Sequence, residues 1–300
     1  MKKIFVAVML VSTLFFAVNG FAATALKKTV AVFDFKNDSG FKAKIGLGKD
    51  FSMQLSDALI QSGKFIVLSR KDLDVVMAEQ DLARTGRFAK SASAKTGKIL
   101  PAQILIKGQI TEFEEKASGG GQGLSIKGFS IGAKKSSAHV AVIIQLVDST
   151  TGEIVDSQRV EGEAKAGGLS FGYSGDFCIN TSNFKKTPLG KAVQIAIDKA
   201  TVYIARKMSD VPWKGKIILM KEDGTIFVNS GENAGVASGT VFSVYREGEP
   251  LIDPDTGIEL GRDSRKIAEI KIMEVQDKFS KARVLGVIQV PIEKGDVVLE

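Results

Sequence analysis

The chain has 300 residues, with 41 Lys and Arg against 34 Asp and Glu, a single His and a single Cys. One Cys excludes an intramolecular disulfide, and one His excludes multi-His metal sites and the usual His-centred triads. The net charge of +7 is spread along the chain without interleaved stacking aromatics. It reads as a solvated surface, and no nucleic-acid partner is expected.

Residues 1–22 read as a secretory signal. Lys2 and Lys3 precede an apolar run, Ile4 to Val18, that is too short for a permanent span, and small-residue sites place cleavage after Ala22 or Ala25. The only Cys is Cys178, so no lipidated Cys follows the signal. The expected location is therefore the periplasm or outer membrane of a bacterial envelope.

Thr29 to Phe35 (TVAVFDF) is a β-branched and aromatic strand that ends in the turn-rich Asn37-Asp38-Ser39-Gly40. From Asp50, the residues Phe51, Leu55, Ala58 and Leu59 recur at helical spacing, with Gly63 at the C-cap. Phe65 to Leu68 is a second strand. Lys71 to Arg84 is an amphipathic helix marked by Leu73, Val76, Met77 and Leu82, closed by Gly86. Ala102 to Gln109 begins a third strand, and this alternation of strand and helix argues an α/β domain over residues 26–211.

Val140 to Val147 is apolar in both phases and predicts a central strand covered on both faces. Asp148 to Gly152 turns it into an antiparallel partner, Glu153 to Val160. Pro188 to Met208 carries Leu189, Val193, Ile197, Ala200, Ile204 and Met208 at a spacing near 3.6, which is the closing helix. Pro212 and Trp213 mark a boundary. Beyond them, six short strands separated by turns predict a small all-β domain, of barrel or sandwich type, over residues 213–300.

Two segments between the strands carry a different pattern. In Glu161 to Lys186, the residues Leu169, Phe171, Tyr173, Phe177 and Ile179 alternate with Ser170, Gly172, Ser174, Asp176, Cys178 and Asn180. In Glu112 to Ala138, Leu124 and Ile126 alternate with Ser125 and Lys127. A step at Gly128 shifts the phase to Phe129, Ile131 and Ala133. Period-two alternation is the mark of a strand with one face in oil and one in water. Each segment is long enough for a hairpin of two membrane-length strands. The fold class is thus an α/β (α+β) periplasmic domain with two long amphipathic β-hairpins, 112–138 and 161–186, followed by the small all-β domain. Leu124, Ile126, Phe129, Ile131, Leu169, Phe171, Tyr173, Phe177 and Ile179 are candidates for lipid contact. Ser125, Ser170, Ser174 and Asp176 would face water. Four strands cannot enclose a lumen, so a barrel needs several copies; the alternative is a pair of soluble hairpins on a scaffold protein.

The blocks VAVFDFKNDSG, QSGKFIVLSRKDLDVVMAEQ, TGKILPAQILIKGQITEFE and VAVIIQLVDSTTGEIVDSQRVEGEA resemble the curli production assembly/transport (CsgG-type) family, in continuous order over residues 29 to 210. The resemblance implies a periplasmic α/β domain that forms a homo-oligomeric ring. Its paired hairpins would build an outer-membrane channel for protein subunits of extracellular fibres, helped by periplasmic accessory proteins. It also implies a pore loop at Asn37, Asp38 and Phe41, although the loop here is short and Phe41 is its only aromatic. The run TIFVNSGENAGVASGTVFSVYREGEPLIDPDTGIELG and the terminal KGDVV are similar to the C-terminal domain of flagellar assembly protein T, which implies assembly work and, as an alternative, a soluble ring or scaffold in the envelope.

No catalytic constellation stands out, and no enzyme activity or cofactor is expected. His139 lies beside a buried strand without catalytic partners, and Cys178 lacks a basic neighbour. Gly46 to Lys49 and Gly119 to Gly121 miss the phosphate-loop spacing. Asp253, Asp255, Gly257 and Glu259 fit a hairpin turn better than a calcium loop.

Overall fold

A computed structural model describes residues 26–41, 46–85, 100–118, 124–126, 129–131, 133–169, 184–257, 259–288 and 290–300. The signal segment lies outside the described residues. The chain opens with β1 (Lys28–Val32), β2 (Lys36–Asn37), α1 (Leu47–Gln61), β3 (Phe65–Leu68), α2 (Leu73–Arg84) and β4 (Ile104–Ser118). β1 pairs in parallel with both β3 and β4, through Val30↔Val67 and Val30↔Ile104. After β5 (Leu124–Ile126) and β6 (Phe129–Ile131) come β7 (Ala133–Asp148) and β8 (Ile154–Leu169). These last two extend the sheet antiparallel, giving the order β3-β1-β4-β7-β8, with β2 added to β4.

Burial of two helical stripes holds one face of this sheet. On α1, Leu47, Phe51, Leu55 and Leu59 repeat every four residues, and none is more than 2% exposed. The helix starts three residues before the expected Asp50, because Leu47 belongs to the same stripe. It ends where Gly63, at φ +68°, takes the left-handed conformation that a side chain would resist. The long helix α3 (Pro188–Ser209) starts at Thr187, whose Oγ1 accepts the Gly190 N–H at 3.0 Å. All six stripe residues named from its spacing, Leu189 to Met208, are buried. It lies so close to β8 that a Cβ on Gly162 would sit 1.9 Å from the Ala192 carbonyl oxygen.

Two expectations change. α2 begins at Leu73, and its stripe is largely uncovered: Val76 and Met77 are 42% and 48% exposed. β7 is central, but only its Val140, Val142, Ile144 and Leu146 phase lies in the core shared with α1 and α3. The other phase is mixed in polarity and less fully covered: Ala141 is buried, while His139, Ile143 and Gln145 are half-buried.

The remaining strands, β9 (Lys214–Met220), β10 (Ile226–Val228), β11 (Val241–Ile252), β12 (Glu259–Val275), β13 (Ser280–Leu285) and β14 (Val297–Leu299), close a barrel in the order β10-β13-β12-β11-β14-β9. Its core includes Phe242, Ile270, Ile272 and Val298. Trp213, read as a boundary residue, is buried here with its ring stacked 4.9 Å from Phe242. Arg246 pairs with the nearly buried Asp296 and donates to the Pro291 carbonyl at 2.8 Å, which ties β11 to the loop before β14. At the β11–β12 turn, Asp253 Oδ1 accepts the N–H groups of Asp255 and Thr256 at 2.9 and 2.8 Å, and Gly257 takes φ +69°. Those carboxylate lone pairs serve the turn.

Candidate functional site

The third expected strand and the first expected hairpin strand are one element. β4 continues past Gln109, through an irregularity between Ile110 and Glu112, as far as Ser118. β7 pairs with it from Ser118↔Lys135 to Ile104↔Asp148, and β8 pairs with β7 from Ala133↔Leu169 to Val147↔Ile154. The three strands therefore form a ribbon. One end lies in the α/β layer, and the other runs on toward residues 118, 133 and 169.

Where the ribbon leaves the layer, a charged ladder crosses it. Register places Glu114, His139 and Glu163 in one rung, and Glu112, Ala141 and Glu161 in the next. Arg159 donates to Glu112 Oε1 at 2.5 Å, to Glu161 Oε1 at 2.6 Å and to Thr111 Oγ1 at 3.2 Å. His139 lies between two carboxylates, with Nε2 2.9 Å from Glu112 and Nδ1 3.5 Å from Glu163. His139, Glu161 and Glu163 come close enough to share a cation. The Arg159 guanidinium already occupies Glu161, so the arrangement acts as an ion-pair fastening of three strands. His139, read from sequence as lying beside a buried strand without catalytic partners, lies within β7 and has carboxylates on both sides. The ladder itself was missed there, although the alternation of Arg159, Glu161 and Glu163 with Val160, Gly162 and Ala164 carries its signal.

On the opposite side of the same strands, Tyr203 of α3 donates to Asp156 Oδ1 at 2.7 Å, and Lys207 pairs with Asp156 Oδ2 at 2.6 Å. These bonds, the Lys207 ammonium first, hold the Asp156 carboxyl below its usual range. Burial, aided by that carboxylate, pushes the Tyr203 phenol up.

The pore-loop candidates sit at the ribbon's base. Asn37 pairs with Ile110, and its side chain closes a local turn by accepting from Ser39 N and Oγ at 3.2 and 2.7 Å. Asp38 Oδ2 accepts from Lys36 at 2.8 Å and from Gln109 at 2.5 Å. The Phe41 ring lies 4.9 Å from that of Phe113. All three are thus tied to β4 in the single chain.

At the far end, β5 and β6 pair Leu124↔Ile131, Ser125↔Ser130 and Ile126↔Phe129. Directly opposed residues of an antiparallel pair share a phase of the pleat. Leu124, Ile126, Phe129 and Ile131 therefore fall in one phase with Ser125 in the other, and the expected step at Gly128 lies outside the described residues. Leu169 ends β8 opposite Ala133. Ser170, Phe171, Tyr173, Ser174, Asp176, Phe177, Cys178 and Ile179 lie outside the described residues. Among the described residues, no helix is long and apolar enough to cross a membrane, which says nothing of a crossing by strands.

No curated protein matches the sequence significantly. Among solved structures, the hypothetical protein CT253 from Chlamydia trachomatis is similar at 15% identity and a TM-score of 0.38, over 60% of this chain and 96% of that one. The PelC dodecamer from Paraburkholderia phytofirmans is similar at 14% identity and a TM-score of 0.27, over 60% and 89%. Lipoprotein GNA1162 from Neisseria meningitidis is similar at 14% and 0.27, over 61% and 99%. These are remote likenesses. The sequence of residues 14–226, by contrast, matches a family model described as curli production assembly/transport component CsgG, and the match includes the whole ribbon and its ladder. The chain belongs to the CsgG family of curli production assembly/transport components.

Proposed function

We propose that this chain is a ring-forming component of the bacterial cell envelope that exports or assembles protein subunits. Its ribbon hairpins, 112–138 and 161–186, join those of other copies in an outer-membrane β-barrel. The observation that carries the reading is the ribbon: β4, β7 and β8 run on from the helix-covered layer, and the distal β5–β6 pair gathers four large apolar residues into one phase. Backbone groups in lipid need partners, so such strands cross only as part of a closed barrel, and one chain has too few to enclose a channel. Leu124, Ile126, Phe129, Ile131, Leu169, Phe171, Tyr173, Phe177 and Ile179 then face lipid. Ser125, Ser170, Ser174 and Asp176 face the lumen. The loop of Asn37, Asp38 and Phe41, at the ribbon's base, borders the entry on the periplasmic side. The partners are other copies of the chain, outer-membrane lipid, an exported protein and periplasmic accessory proteins.

The test is envelope fractionation followed by unheated electrophoresis of the detergent extract. A large, heat-dissociable species from the outer membrane is expected. Recovery of the protein in the soluble periplasm would overturn the channel.

A second reading, a soluble periplasmic ring or scaffold, is favoured by the closed barrel of residues 214–299. Most of that barrel lies beyond the family match, and β11–β12 projects a hairpin with Leu251 and Leu260 exposed. Release with the soluble periplasm as an oligomer would select it.

A further inference from the structure

α2 is an amphipathic helix that the single chain leaves largely uncovered. Of its residues only Gln80 is buried, while Val75, Val76, Met77 and Leu82 are between 38% and 70% exposed. A helix with this much apolar surface in water calls for a partner. Its charges are Asp74, Glu79 and Asp81 against Arg84, so it presents a net acidic surface around its apolar side chains.

A complementary surface lies at the other edge of the sheet. Between β8 and α3 runs a shallow groove whose lining includes Val202 and Tyr203, with Arg159, Lys199 and Arg206 against Glu161 and Asp198. Val202, on its lining, is 69% exposed. α3 carries Lys191, Lys199, Arg206 and Lys207 against Asp198 alone, so the helix bordering the groove is net basic. Among the described residues β8 pairs with no strand but β7, and Lys199 Nζ donates to its Glu161 carbonyl at 2.8 Å.

The two surfaces flank opposite ends of the order β3-β1-β4-β7-β8, because α2 follows β3 and α3 packs on β8 and β7. Four strand spacings amount to roughly 19 Å. An acidic apolar helix and a basic apolar groove held that far apart meet most directly between copies. The geometry points to a head-to-tail interface in which α2 of one copy docks in the β8–α3 groove of the next. Such a contact uses two different patches of the same chain, so it repeats around a ring. It supplies the subunit contact of the ring proposed above and rests on that reading.

The test starts from full-length Cys178→Ser protein in the outer-membrane extract. Copies carrying Val76→Cys are mixed with copies carrying Val202→Cys and treated with a short bis-maleimide. A covalent dimer is expected. In parallel, Lys199→Glu with Arg206→Glu should lower the heat-dissociable oligomer about tenfold, as the loss of 1.4 kcal/mol of contact would. Asp74→Lys with Asp81→Lys should do the same, and combining the two pairs of reversals should restore the oligomer. If the oligomer forms normally in every reversal and no dimer is captured, the interface is wrong and the ring stands. If a chain carrying both Val76→Cys and Val202→Cys crosslinks only within itself, α2 is covered in its own copy and the interface is again wrong. If the parent protein forms no oligomer at all, the ring reading fails with it.

Discussion

The ribbon and the C-terminal barrel are built from the same material, long antiparallel strands of alternating polarity, and they handle their edges in opposite ways. In the barrel every strand has two neighbours in the order β10-β13-β12-β11-β14-β9, and only the projecting ends of β11 beyond Tyr245 and of β12 before Glu269 pair with each other alone. In the ribbon, β4 beyond Ile110 and β8 along its whole described length pair only with β7. An open edge is an invitation to another strand, which a protein must either blunt or use. The ladder of Glu112, His139, Arg159, Glu161 and Glu163 blunts the ribbon's solvent face near its base, where charge is tolerated. Toward the tip the strands still carry Lys116, Lys134, Lys135 and Lys165, and beyond these the β5–β6 pair sets Leu124, Ile126, Phe129 and Ile131 in one phase. One region completes its own sheet, and the other is laid out to be completed by copies.

The largest effect is expected from weakening the closed region alone. Phe242→Ala removes a ring that is 1% exposed and stacked on Trp213. It should cost about 3–5 kcal/mol, as large aromatic truncations do. If the two regions are as independent as their edges imply, thermal unfolding will show an early transition for the barrel while the oligomer persists on an unheated gel. Loss of the oligomer together with the barrel would show that the barrel holds the ring.

The next largest effect concerns the open region. Phe129→Arg places a guanidinium in the apolar phase of the β5–β6 pair and should oppose insertion by about 2–4 kcal/mol near the bilayer midplane. Phe171→Arg makes the same test on the second hairpin. The variants should fold, as read by circular dichroism, yet leave the outer-membrane fraction. Normal insertion of both would sink the hairpin assignment.

A smaller effect separates the ribbon from the layer beneath it. Gly162→Ala puts a Cβ against the Ala192 carbonyl, where the built distance is 1.9 Å. α3 must then lift from β8, at a cost of about 1–3 kcal/mol, as overpacking usually exacts. Denaturant titration should show the loss in the α/β transition and none in the barrel. An unchanged midpoint would mean that the helix and strand are less closely apposed than Gly162 implies.

Much of this was legible in sequence because it rests on local periodicity. The α3 stripe, the turn from Asp148 to Gly152 and the six C-terminal strands each follow from spacing and turn residues that a strand or helix must show wherever it packs. The features that were missed depend on register or on distant partners. Glu112 and Glu114 read as the start of a separate hairpin until β7 is laid beside them, so β4 could not be seen running through the irregularity at Thr111. Arg159 is 47 residues from the Glu112 it binds. The early start of α1 was hidden because Gly46-Leu47-Gly48 reads as a loop, although Leu47 packs with Phe51. The bareness of α2 was invisible for the opposite reason: its spacing predicts a buried stripe, and a single sequence does not say which chain buries it.

The smallest predicted effect bears on how α3 is fixed to the ribbon, and it is one of pH. Lys207 and Tyr203 both bond Asp156 and hold its folded pKa below the unfolded value. A carboxylate with a lowered folded pKa contributes stability that is fully present above its unfolded value and is lost as pH falls through the folded one. The window therefore opens at about pH 4 and extends downward. Asp156→Asn keeps the shape but gives up the charge, so the α/β transition should fall slightly at neutral pH and depend less on pH below that point. The Arg246–Asp296 pair in the barrel serves as a control, since replacing Asp156 leaves it untouched. Thermal melts of the wild type and the variant from neutral pH downward should converge in acid for the α/β transition and coincide throughout for the barrel. Parallel α/β curves would mean that Asp156 is not linked to folding through its proton, and that packing of the Tyr203 ring, not the charge, fastens α3 to β8.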